Sequence, residues 1–352
     1  MKVAIVNDSK MAVEILRRIV TGLPDFTLAW VAYSGEEALD LYAKATPDIV
    51  LMDLIMPGID GAETTRRMMS TPPCVILVVT ATTVGNRDQV FEAMGHGALD
   101  AVNTPVMTRD NGIDGAQPLI RKLRTVARLA VGHRAPMPAL ALARASGAID
   151  TSAVPIVALG ASTGGPQALA EILSQLPATF PAAVLVVQHV DEQFTPGLAT
   201  WLQHHSPLPV ALARQNELFA PGAVWIANGK EHLTYSSGIA HYTTVPRRAV
   251  HTPSIDVLFA SLAQSHRATR IGVLLTGMGR DGAHGLLAMR NSGGFTIAQD
   301  EVTSVVYGMP RAAVALNAAS EVLPLRAIAP RIVNLLVPAT QVAPISQHTS
   351  RT

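Results

Sequence analysis

Strand-length apolar runs separated by helical periodicities recur in two stretches of this chain, and no other feature constrains its fold as strongly. Val3–Val6, Leu28–Ala32, Ile49–Met52, Val75–Val79 and Ala101–Val102 alternate with amphipathic segments. Uninterrupted apolar strands are buried on both faces, so they predict a parallel sheet with helices on each side. Ser34 and Glu37 have capping-box spacing at one helix start. Leu119, Ile120, Leu123, Val126 and Ala127 share one face of a helix from Pro118 to about Ala130. The alternation resumes from Val154 with Ile156–Leu159, Val184–Val187, Val224–Ile226, Ile271–Leu275 and Phe295–Ala298. The expected fold class is α/β throughout: a five-stranded parallel sheet, then a second, doubly wound and mostly parallel one. The two stretches share a pattern but not spacings, so they are not repeats.

A chain of 352 residues has room for two such domains. The expected division is 1–130, a linker over 131–152, a second domain over 153–340 and a frayed tail over 341–352. The linker is Ala-, Pro- and Arg-rich with little periodicity. With Arg121, Lys122, Arg124 and Arg128 before it, the region reads as a solvated helix face plus a tether; contact with an acidic partner or membrane surface is the alternative.

Charge and cysteine usage exclude several classes. Lys and Arg number 27 against 26 Asp and Glu, which is no footprint for a nucleic-acid binder. The single Cys74 can make neither an internal disulfide nor a zinc site, and reads as buried filler in a reducing cytoplasm. Apolar runs are too short to insert in a membrane, and Met1-Lys2 leads straight into a strand with no signal peptide, as expected of a mature N-terminus.

Two constellations carry chemistry. Asp8 follows the first strand and Asp53 the third, and in a doubly wound sheet both strand ends open on one crevice. Paired carboxylates there suit Mg²⁺, which takes oxygen ligands, and Thr80 at the end of the fourth strand can hydrogen-bond phosphoryl oxygens. In the second domain, Gly160-Ala161-Ser162-Thr163-Gly164-Gly165-Pro166 turns from strand to helix. That loop suits an exposed nucleophilic serine, and equally a phosphate cradle for a dinucleotide. A nucleophile needs a base and an orienting acid. His189 and Asp281 each follow a strand of the same sheet, on the edge where such sheets place ligands. His284 and Asp300 are rivals; His204, His205, His232, His241 and His266 lack a strand-end setting. Trp201 reads as packing, with contact to a partner helix as the alternative.

Both domains resemble known families. Asn7-Asp8-Ser9, Met52-Asp53-Leu54-Ile55-Met56-Pro57-Gly58-Ile59-Asp60-Gly61 and Ala93-Met94-Gly95-His96-Gly97-Ala98 resemble a response-regulator receiver domain of flavodoxin-like fold. The resemblance implies phosphorylation of Asp53 by a CheA-type histidine kinase, Mg²⁺ held by Asp8, Asp53 and the Ile55 carbonyl, and Thr80 as the switch hydroxyl. Two positions depart from it. Asn7 replaces an acid, which weakens the metal site, and Thr104 replaces a lysine ahead of Pro105, which removes an ammonium contact to the acyl phosphate.

The glycine-rich serine turn, Val187-Gln188-His189, Thr252-Pro253-Ser254-Ile255-Asp256, Leu275-Thr276-Gly277-Met278-Gly279-Arg280-Asp281-Gly282-Ala283, Ala298-Gln299-Asp300-Glu301 and Gly308-Met309-Pro310-Arg311 resemble the CheB-type chemotaxis methylesterase. That family implies Ser162 as nucleophile, His189 as base, Asp281 as its orienting acid and the Met278 N–H as an oxyanion donor, with no cofactor for the esterase. It implies hydrolysis of glutamyl methyl esters and deamidation of certain glutamines on chemoreceptor cytoplasmic helices, gated by the receiver. Val190-Asp191 and Asn228 stand where the family has Met-Pro and proline. With Asn7 and Thr104 they make the chain similar to a Wsp-type paralogue. The other class to be tested is a non-enzymatic adaptor that docks a chemosensory partner.

Overall fold

The computed structural model describes residues 1–70, 74–81, 87–108, 110, 112–131, 154–246, 251–265 and 269–336. The first unit runs β1 (Lys2–Val6), α1 (Lys10–Thr21), β2 (Thr27–Ala32), α2 (Gly35–Lys44), β3 (Ile49–Met52), α3 (Gly61–Met69), β4 (Val75–Thr80), α4 (Arg87–Gly95) and β5 (Asp100–Asn103). A short antiparallel pair, β6 (Val106–Met107) with β7 (Ile113–Asp114), precedes α5 (Ala116–Val131). The five-stranded sheet has order β2-β1-β3-β4-β5 and is parallel throughout. Its order reverses between β1 and β3, so the crevice beyond their carboxyl ends is the ligand edge.

Local chemistry starts the helices where the residues call for it. The hydroxyl of Ser9 accepts from the N–H of Ala12 to cap α1, and Asp60 accepts from the N–H of Glu63 to cap α3. At α2 the Ser34 hydroxyl accepts from the Glu37 N–H at 3.2 Å, while the Glu37 carboxylate reaches back to the Tyr33 N–H at 2.7 Å.

The second unit runs β8 (Ile156–Ala161), α6 (Gly165–Ser174), β9 (Ala183–Gln188), α7 (Thr195–His205), β10 (Val210–Leu212) and β11 (Val224–Ile226). It continues through β12 (His232–Ser236), β13 (Ile239–Thr243), α8 (Ile255–Ala263), β14 (Arg270–Leu274), α9 (Ala283–Asn291), β15 (Phe295–Gln299), α10 (Met309–Ala315), β16 (Glu321–Leu323) and α11 (Leu325–Leu336). Its seven-stranded parallel sheet has order β10-β11-β9-β8-β14-β15-β16, with β12 and β13 forming a separate antiparallel hairpin.

Every strand expected from an apolar run is present. The expectation missed the β6–β7 pair, β10, β16 and the β12–β13 hairpin. The two edge strands are three residues long and only half-buried, so they lack the apolar run that marks a central strand. Most of the expected linker, 132–152, and the whole expected tail, 341–352, lie outside the described residues, as does His266.

The two units share a buried core. Trp201 on α7 packs against Phe91 of α4, with ring centroids 6.2 Å apart. A β-carbon at Gly95 would lie 3.4 Å from the Trp201 ring, so the small residue lets the indole lie against the end of α4. The packing read for Trp201 is thus packing between the two units. Gln167 of α6 also donates to the Met94 carbonyl. Cys74 is half-buried against the same core, and burial raises its thiol pKa, so it stays a thiol.

Candidate active site

Strands β9, β8 and β14 are neighbours at the centre of the second sheet, so the residues leaving their carboxyl ends meet. Ser162 leaves β8 and is 9% exposed; its N–H donates to the Thr276 carbonyl at 3.0 Å, beyond β14. His189 leaves β9, and its N–H donates to the Ala161 carbonyl at 3.0 Å, which sets it beside the serine turn. The turn closes through the Gly165 N–H on the Ser162 carbonyl at 2.7 Å, and the same carbonyl accepts from Gln188 Nε2 at 2.9 Å. Gly164 has φ 75°, a left-handed conformation that costs a glycine little. Across the turn, a β-carbon on Gly277 would come 2.6 Å from that of Ser162, so only glycine admits the serine there.

The structure brings His189 and Asp281 together. Nε2 of His189 is 2.8 Å from Oδ2 of Asp281, with side chains 7% and 13% exposed. Asp281 is seated on the start of α8. Its Oδ1 accepts from the Ser254 hydroxyl at 2.8 Å and the Asp256 N–H at 3.1 Å, and its Oδ2 also accepts from the Ile255 N–H at 2.8 Å. Burial alone would push this carboxyl up. The His189 hydrogen bond and charge, with those N–H groups, instead hold it well below the usual carboxylate range. It therefore stays anionic and can stabilise an imidazolium on His189. The other ring nitrogen of His189, Nδ1, is buried with no hydrogen-bond partner among the described residues, so the structure pairs His189 with Asp281 but does not bond it to the Ser162 hydroxyl.

Met278 follows Gly277, whose carbonyl accepts from the Gly308 and Met309 N–H groups at 3.1 and 2.9 Å. This pins the loop one residue before Met278, beside the serine turn. The rivals are occupied elsewhere. Asp300 Oδ1 accepts from the Thr303 N–H at 2.9 Å and hydroxyl at 2.5 Å, so it shapes its own loop. His284 acts on Asp256, whose carboxyl accepts from the Gly285 N–H at 2.7 Å and is raised mainly by burial.

Three supporting residues were not legible in the spacing of motifs. Ser254 holds the acid. His232, buried behind it, accepts from the Ser254 N–H at 3.0 Å through Nδ1. His251 stacks on His189 with ring centroids 4.0 Å apart. The only available signal was the Thr252–Asp256 stretch, which carries no strand-end geometry.

In the first unit, Asp53 ends β3 and Thr80 ends β4. Burial raises the Asp53 carboxyl above its usual range and the Asp8 charge adds to the rise, against hydrogen bonds from Thr80 and the N–H groups of Leu54 and Ile55. The Thr80 hydroxyl, close enough to exert that pull, is buried without a hydrogen bond of ordinary geometry. Two neighbouring carboxylates form an oxygen set that fits a hard divalent cation keeping several waters. Asn7 adds no charge; its Oδ1 accepts from the Ser9 N–H at 2.8 Å. No group of three or more His, Cys, Asp or Glu is arranged to hold a metal ion among the described residues.

The first unit lies across the serine turn. The Gly164 N–H donates to the Leu99 carbonyl at 3.3 Å, and the Thr163 hydroxyl to Asp100 Oδ2 at 3.0 Å. Asp100 is itself paired with Lys122 of α5 at 2.5 Å. Thr125 of α5 bonds the Met278 sulfur, and Asn103 Nδ2 donates to Asp191 Oδ2 at 3.0 Å.

Residues 157–332 match a family model described as CheB methylesterase, and residues 3–114 one described as response regulator receiver domain. A relative from Cupriavidus pinatubonensis named protein-glutamate methylesterase/protein-glutamine glutaminase 1 is 53% identical over 334 residues, 95% of this chain and 97% of its own. One from Pseudomonas syringae, bearing the same name with the number 2, is 48% identical over 336 residues, 95% and 99% of the two chains. The crystal structure of the Thermotoga maritima CheB methylesterase catalytic domain is 36% identical, with TM-score 0.50, and covers 52% of this chain and 99% of that one.

Proposed function

Because this chain belongs to the CheB methylesterase family and carries a response-regulator receiver before the catalytic unit, we propose that it hydrolyses glutamyl methyl esters on chemoreceptor helices through Ser162, His189 and Asp281. The activity is that of a protein-glutamate methylesterase and protein-glutamine glutaminase, an enzyme of chemosensory adaptation. The observation that supports these site residues most is the 2.8 Å hydrogen bond between His189 and Asp281 beside the Ser162 turn.

In the proposed reaction the Ser162 oxygen bonds to the ester carbonyl carbon while Nδ1 of His189 takes the hydroxyl proton. The negative charge moves to the carbonyl oxygen, where the Met278 N–H stabilises it; one such donor contributes about 3 kcal/mol. The bond from carbon to the methoxy oxygen then breaks, and His189 returns the proton to release methanol. Water repeats the sequence on the acyl-enzyme and regenerates the Ser162 hydroxyl. On a glutamine side chain the leaving group is ammonia. Asp281 remains anionic throughout and stabilises the imidazolium.

The receiver is read as the regulator. Asp53 accepts a phosphoryl group from a CheA-type kinase, with Thr80 as the switch hydroxyl. Mg²⁺ held by Asp8, Asp53 and the Ile55 carbonyl would neutralise charge on the incoming group. The unphosphorylated receiver covers the Ser162 turn, and phosphorylation shifts the population toward an open form. The numbered names of the relatives fit a paralogue of Wsp type. The cytoplasm, where receptor helices and kinase meet, is the compartment this reading requires; no described helix is long and apolar enough to cross a membrane.

The test is methanol release from methyl-esterified receptor membranes by wild type and Ser162→Ala. Release that depends on the serine supports the reading. Binding without release in wild type would leave an adaptor instead.

A further inference from the structure

One short segment grips both the acid and the base of the site. Ser254, Ile255 and Asp256 saturate both oxygens of Asp281, so the carboxylate cannot turn without losing hydrogen bonds. His189 is held less completely, because Nε2 has its bond to Asp281 while Nδ1 has no partner among the described residues. A ring anchored at one nitrogen can still swing about that bond, and Nδ1 lies off the axis of the swing. Its position relative to the serine therefore depends on the plane of the ring. His251, at the start of the same segment, lies face to face with that ring, its plane 16° from parallel.

We infer that His251 is a positioning residue for this hydrolysis, its stacked ring fixing the plane of the His189 imidazole and so where Nδ1 meets the Ser162 hydroxyl. The inference rests on the triad proposed above. It adds a residue that acts through the His189 ring and takes no proton itself.

The charges around His251 agree with that role. It faces His189 and Asp281, and Arg121 and Lys122 act on it from α5 of the receiver. Burial first, then the charges of His189, Arg121 and Lys122, bring its pKa down to about 4, against the pull of Asp281. A neutral ring is the form the site needs. A cation there would repel the imidazolium that forms on His189 in the transition state.

The test uses the full chain and methyl-esterified receptor membranes, with kcat and KM measured for His251→Ala and His251→Phe across the neutral pH range. The alanine variant should lose about 10- to 100-fold in kcat with KM changed by less than about twofold. The phenylalanine variant should recover most of that loss and leave the acid limb of the profile in place, because it keeps a flat face and does not titrate. If the alanine variant melts early, His251→Leu fills the volume without a flat ring and should show the same loss. Full kcat in the alanine or leucine variant, a loss carried by KM, or a phenylalanine variant as slow as alanine would overturn the inference. Wild-type release that persists in Ser162→Ala would overturn the triad reading, and the inference with it.

Discussion

Asn103 Nδ2 donates to Asp191 Oδ2 at 3.0 Å, joining the last residue of β5 in the receiver to the loop two residues past His189. In the receiver sheet Asn103 pairs in register with Thr80, the proposed switch residue. A shift of Thr80 toward a phosphoryl group can thus reach this contact through the β4–β5 ladder.

Removing that contact should open the enzyme. A hydrogen bond to a charged group contributes about 1.5–3 kcal/mol, and this exposed one belongs at the low end, so Asn103→Ala should raise the unphosphorylated rate about tenfold. Initial rates of methanol release with and without a small phosphodonor check this. An unchanged basal rate would show that the contact does not hold the closed form.

Gly277→Ala should abolish most activity without touching a reacting group. The added carbon would lie 2.6 Å from the Ser162 β-carbon and 2.7 Å from Cε of Met309. Met309 is flexible and can give way, whereas the serine side has only its turn to move. The serine is displaced, and a shift near 1 Å in a reacting atom costs about 100-fold. Steady-state kcat is the readout; a variant within a fewfold of wild type would mean the turn absorbs the methyl.

Acid should destabilise the fold in two steps of the same sign. His251 titrates at about 4 in the folded state against 6.5 for the free side chain, so the unfolded chain binds more protons between those values and stability falls as pH drops through that window. Asp281, whose carboxyl is depressed, contributes stability present above the ordinary carboxylate pKa and lost as pH falls through its lower folded value. Urea midpoints against pH should therefore show a drop between 6.5 and about 4 that is missing in His251→Phe. Equal slopes in the two proteins would refute the assignment.

Phosphorylation is tested at Asp53. Labelling from a phosphodonor should vanish in Asp53→Asn, and donor should no longer accelerate methanol release. Asn7 leaves the proposed Mg²⁺ with two carboxylates, so labelling of wild type should need more Mg²⁺ than in Asn7→Asp. A titration of labelling against Mg²⁺ in the two proteins decides it.

The sequence by itself determined the two α/β sheets, their central strands and the positions of Ser162, His189, Asp281, Asp53 and Thr80 at strand ends. Those are local facts: an apolar run and the residue that ends it are adjacent in the chain, and parallel sheets gather such ends on one edge. The tertiary structure decided what surrounds them. Ser254 and His232 support Asp281, and His251 faces His189, through contacts between segments far apart in sequence whose residue types carry no period. The rival acids were likewise separated only in space, since Asp300 and Asp281 both follow strands but only Asp281 is met by His189 and by the start of α8. The receiver's seat on the serine turn was equally invisible, because the short run Ala101–Val102 marks a strand but nothing in Leu99, Asp100 or Asn103 beside it marks a contact, which the packing of Trp201 against α4 makes.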